Sequence, residues 1–183
     1  LAAAWVAFAG LSSYPDCSSY GRVEDQGQGL PALAEALTER QIDAVGLCYD
    51  GVARPEHYGL APAADLSPRA GWFAVSLALQ SGERFHPVHD VWWLQQLTPT
   101  AICGGSLALI EVDDDQATAA RERIAENVRL MQHGMDLLRA QNEPRGALAL
   151  FETVLADQPV HYGALYQRAV CLQAIGHVEA AAA

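Results

Sequence analysis

The stretch from Gln41 to Leu60, Q-I-D-A-V-G-L-C-Y-D-G-V-A-R-P-E-H-Y-G-L, constrains the fold more than any other part of the chain. Ile42 to Tyr49 reads as a buried strand, and it opens at its C-terminal end into a polar loop punctuated by Gly and Pro. In open α/β sheets ligands sit outside the carboxyl ends of the strands. Asp50, Arg54, Glu56, His57 and Tyr58 fall within nine residues of that loop, which makes it the first candidate site.

Composition narrows the partners. With 183 residues, 51% hydrophobic and 18% charged, the chain is long enough and apolar enough to bury a core. Eleven basic residues against 22 acidic ones leave a net charge of −11, which speaks against nucleic acid or an anionic membrane surface as partner. All the basic residues are Arg, and with so much Ala and Gly this is the signature of GC-rich coding. Cys17, Cys48, Cys103 and Cys171 form no C-x-x-C pair, so buried thiols are expected and not a zinc site or a disulfide framework. The chain lacks an initiator Met and stops within an Ala-rich helical pattern, so it reads as part of something longer. Its opening L-A-A-A-W-V-A-F-A-G-L is too short to span a bilayer, where about 20 residues are needed. Either the last turns of a membrane helix or a buried element of this domain would fit.

Before the strand, Pro31 at a first helical turn and Leu30, Leu33, Ala34 and Leu37 on one face predict a helix ending near Gln41. After it, Pro55–Arg69 reads as loop and Trp72–Leu79 as a second strand. His86–Leu97 reads as a helix stopped by Thr98-Pro99, and Ala101–Val112 as a third β segment broken at Gly104-Gly105. The order predicts a small α/β layer over residues 25–112, preceded by a membrane-proximal segment or linker over 1–24. Asp113-Asp114-Asp115 then start a helical region over 113–183, divided by the Asn142–Gly146 turn and the Gln158-Pro159 stop.

The helical region resembles a tetratricopeptide repeat. In G-A-L-A-L-F-E-T-V-L-A-D-Q-P, Ala147, Phe151, Leu155 and Pro159 take the places of the second-helix signature in that 34-residue pattern. Leu165, Ala169, Leu172, Gly176 and Ala181 follow in phase, while Met131 and Met135 make the preceding first helix degenerate. The expected fold is therefore a small layered α/β domain followed by an all-α array of TPR-like hairpins, with a protein partner in the TPR groove.

Each candidate site has a plain structural counterpart. His86, His89 and Asp90 carry potential metal donors without a third ligand at a fitting spacing, and they equally suit the first turn of a helix. No metal and no cofactor is expected. Around Asp50–Tyr58, His57 with Asp50 or Glu56 would serve acid–base chemistry, or Asp50-Gly51 is a turn and Arg54 pairs with Glu56 in solvent. Asp25-Gln26-Gly27-Gln28-Gly29 before a helix offers backbone N–H groups to a phosphate or sugar oxygen, without a G-x-G-x-x-G spacing or a P-loop Lys. Ser106 follows two glycines but sits in no G-x-S-x-G elbow.

Three blocks in order resemble the extracytoplasmic region of bacterial membrane glycosyltransferases related to the dolichyl-phosphate-mannose–protein mannosyltransferases. They are Asp25–Leu30, then Tyr49-Asp50-Gly51 with Pro55-Glu56-His57-Tyr58-Gly59, then Pro99–Val112. Gln26 stands where the family has Trp, and the stretch between Pro15 and Asp25 is shortened. The catalytic acidic residues of such enzymes lie near the start of a membrane domain that this chain does not include. The resemblance thus implies a non-catalytic accessory domain of a membrane-anchored parent, on the extracytoplasmic (periplasmic) face of the inner membrane. It would touch lipid-linked sugar or acceptor through Asp25, Gln28, Tyr49, Asp50, His57 and Tyr58, with no catalytic residue of its own. Two other readings stay open: a soluble TPR protein–protein interaction module without enzymatic role, and a small hydrolase or transferase built on His57.

Overall fold

The computed structural model describes residues 27–61, 65–81 and 91–176. In chain order these form α1 (Gly29–Glu39), β1 (Val45–Cys48), a 3-10 turn (Pro55–Tyr58), β2 (Gly71–Ser76) and the single-turn α2 (Leu77–Gln80). A second 3-10 turn (Trp92–Gln96), β3 (Ala101–Cys103), β4 (Leu107–Val112), α3 (Asp114–Arg139), α4 (Pro144–Asp157) and α5 (Tyr162–Ala174) follow.

The four strands make one mixed sheet in the order β1-β2-β4-β3. β1 runs parallel to β2, whereas β2–β4 and β3–β4 are antiparallel. Successive strand residues point to opposite faces, and here both faces are covered. Phe73, Val75, Ala108, Ile110 and Val112 share one buried cluster with Val91–Leu94 and with Ala117 and Ala120 of α3. Ala74, Leu107 and Leu109 share the other with Leu30, Leu33 and Leu37 of α1. Strands covered on both sides read as continuous apolar runs, which is how L-A-L-I and W-F-A-V appear in the sequence.

Trp93 anchors the first of these clusters. Its ring meets Phe73 edge-on at 5.1 Å, and its indole N–H donates to the Leu66 carbonyl at 3.1 Å, so the polar handle of a fully buried Trp is satisfied. That contact explains one departure from the sequence pattern. The Val91–Leu97 part of the expected His86–Leu97 helix is a 3-10 turn over Trp92–Gln96, which drives Trp92, Trp93 and Leu94 into the core together. Residues 82–90, with His86, His89 and Asp90, lie outside the described residues.

The expected Trp72–Leu79 strand also ends early. Ser76 is the last ladder residue, and Leu77 turns away because its N–H donates to the Ser106 carbonyl at 2.9 Å. The expected break at Gly104-Gly105 becomes the turn of the β3–β4 hairpin, with φ of 56° and 73°.

The α3 helix starts at a reciprocal capping box. Asp113 Oδ1 accepts the Gln116 N–H at 2.7 Å, and Gln116 Oε1 accepts the Asp113 N–H at 3.0 Å. At 26 residues it is roughly 39 Å long at about 1.5 Å per residue. Its first turns lie on the sheet through Ala117 and Ala120, and Arg121 donates to the Pro68 carbonyl at 3.2 Å. Its second half packs on α4, where Leu130, Ala147, Phe151 and Val154 form a third cluster with Ala164 and Cys171 of α5. A Cβ added at Gly134 would lie 2.6 Å from the Phe151 ring, so this glycine lets the helices approach.

These helices correct the expected all-α array of TPR-like hairpins: the described residues hold a mixed sheet and α-helices that do not repeat as such an array. Ala147 and Phe151 are buried as that pattern requires. They pack, however, on the far half of a helix whose near half covers the sheet. A repeat first helix would be about half a 34-residue unit, and α3 exceeds that because it serves two layers. Met131 and Met135 are partly buried side chains on this long helix. Ala181 lies outside the described residues. Among the described residues no helix is long and apolar enough to cross a membrane.

Candidate functional site

The parallel pair β1 and β2 ends at Cys48 and Ser76, and the backbone N–H of Asp50 donates to Ser76 Oγ at 2.9 Å. The loop after β1 is thereby pinned to the end of β2. It continues to the Pro55–Tyr58 turn, where the His57 N–H donates to the Arg54 carbonyl at 3.1 Å. Gly59, with φ of 72°, closes the turn by donating to Glu56, and Leu60 returns to the core while donating to Pro55. Pro55 and Leu60 anchor the loop, whereas Arg54, Glu56, His57 and Tyr58 face outward.

The start of α1 meets this loop from one side and the β3–β4 turn from the other. Gly27 has φ of 102°, and a Cβ there would come within 2.5 Å of the Ala53 Cβ and 3.8 Å of the Tyr58 hydroxyl. A Cβ on Gly104 would come within 2.5 Å of the Gln28 carbonyl oxygen, and one on Gly29 would collide with Ser106 Oγ. Three segments far apart in sequence therefore converge where only glycines fit. The Ser106 hydroxyl is buried in this junction and meets no hydrogen-bond partner among the described residues.

Of the residues singled out from sequence, Gln28 is exposed at the N-cap of α1, and Tyr58 lies 39% exposed beside Gly27. Tyr49 and Asp50 are half-buried at the end of β1. Asp25 lies outside the described residues. His57 is held outward on its turn, and no ion pair among the described residues joins it to Asp50 or Glu56. Ser76 and Ser106 belong to the same end of the sheet; the sequence pattern gives no sign of Ser76, and it sets Ser106 aside as a nucleophile. Only the paired glycines before Ser106 hinted at a close approach.

The three described cysteines are buried thiols whose surroundings favour the protonated form. Burial, and secondarily the Asp50 charge, push the Cys48 thiol up to about 11. Burial also raises Cys103, against a smaller opposing effect of Arg40, and it raises Cys171. Among the described residues no group of three His, Cys, Asp or Glu side chains could hold a metal ion. A cavity of about 410 Å³ lies elsewhere, lined by Glu143, Pro144, Arg145, Gly146 and Ile175 at one end of the α3–α5 helices, and none of the sequence-selected residues lines it.

Comparison of the chain with protein-family models, with curated proteins and with solved structures found no match. The junction of α1, the β1 loop and the β3–β4 turn is therefore read from its own geometry.

Proposed function

We propose that the chain is a non-catalytic accessory domain of a membrane glycosyltransferase that uses a lipid-linked sugar. The observation that supports this reading is the convergence at Gly27, Gly29 and Gly104. Residues from each of the three sequence blocks that resemble such enzymes meet there: Gly27 to Gly29 of the first, Tyr58 of the second, and Gly104 and Ser106 of the third. In this role Gln28 and Tyr58 flank the glycines on the exposed side, where a sugar or phosphate oxygen can approach the first turn of α1. The first turns of α3 brace the layer from its other face through Ala117 and Ala120.

The test is to read the coding sequence upstream of Leu1. Several apolar spans of about 20 residues, with an acidic pair in the first outward loop, are the expected result. A start codon directly before Leu1 overturns the proposal and leaves a free-standing interaction protein in its place.

A further inference from the structure

We draw no further inference here: the strongest candidate, the exposed Tyr162, Leu165 and Tyr166 face of α5, carries nothing because nothing in the structure shows what covers it.

Discussion

The Arg123 guanidinium lies over the Trp92 ring, 4.9 Å from its centre. From the same position it donates to Gln96 Oε1 and to Asp157, and Asp157 also accepts from Asn127 Nδ2 at 2.9 Å. One side chain thus ties the cover of the sheet to both α3 and α4. Arg123→Ala is expected to lower the unfolding free energy by about 1–3 kcal/mol, since it removes charge-assisted bonds and leaves Asp157 half-satisfied. A double-mutant cycle with Trp92→Leu should return about 0.5–1 kcal/mol for the ring contact. By contrast, Glu126→Ala breaks the exposed Arg129–Glu126 pair and should leave the urea midpoint unchanged.

Gly134→Ala sets two effects against each other. Alanine favours a helix interior by about 1 kcal/mol over glycine. The new methyl would press into the Phe151 ring, which has no exposed edge to move toward. Overpacking of that kind costs about 1–3 kcal/mol, so a lower thermal midpoint is expected. A higher one would show that α3 and α4 are less tightly apposed than described.

At the glycine junction, Gly104→Ala and Ser106→Ala should act in opposite directions. The first puts a Cβ against the Gln28 carbonyl at a φ of 56° and should destabilise by more than about 1 kcal/mol. The second removes a buried hydroxyl that meets no described partner, whose retention costs about 1–3 kcal/mol. Ser106→Ala is expected to be neutral or stabilising in chemical denaturation. Strong destabilisation would mean that its hydroxyl is bonded after all.

Stability should fall at both pH extremes for different reasons. Cys48 is raised from 9.0 to about 11 in the folded chain, so its contribution is complete below pH 9 and is lost as pH rises toward 11. Asp65 is lowered by the Ser67 N–H and hydroxyl, and Glu126 by Arg129. Their contributions are present above the usual carboxylate range and fade as pH falls through the depressed values. Both carboxylates are on the exposed surface, so the acid effect should be slight. Urea midpoints measured across pH should show a smaller alkaline decline in Cys48→Ala, with Cys103 and Cys171, also raised by burial, supplying part of what remains. At pH 8 a thiol reagent should modify Cys48, Cys103 and Cys171 far faster after unfolding than before.

Local signals carried the elements whose partners are local. The Leu30, Leu33 and Leu37 stripe, the Gly104-Gly105 turn and the acidic helix start at Asp113 read directly from neighbouring residues, and of the strand expected over Ile42–Tyr49 the Val45–Cys48 part is in the sheet. What the sequence pattern missed depends on contacts between distant residues. Ser76 ends β2 because it receives Asp50, and Leu77 leaves the ladder for Ser106. Trp92–Gln96 tightens into a 3-10 turn around a Trp93 bond to Leu66. The repeat-like spacing of Ala147, Phe151 and Leu155 encodes an apolar helix face and is silent on what that face meets. At the site, the glycines signalled close approach, but the partners of each glycine lie in other blocks of the chain.

The parallel pairing of β1 with β2 has a consequence for how the molecule is made. The connection from Tyr49 to Ala70 must close before β1 gains its ladder, whereas α3, α4 and α5 are joined by short turns. Long closures are entropically late, so pulse-labelled hydrogen exchange during refolding should protect the α3–α5 amides before those of β1. During synthesis β1 and β2 emerge before α3–α5, so the order of closure on the ribosome differs from the order expected in refolding of the whole chain.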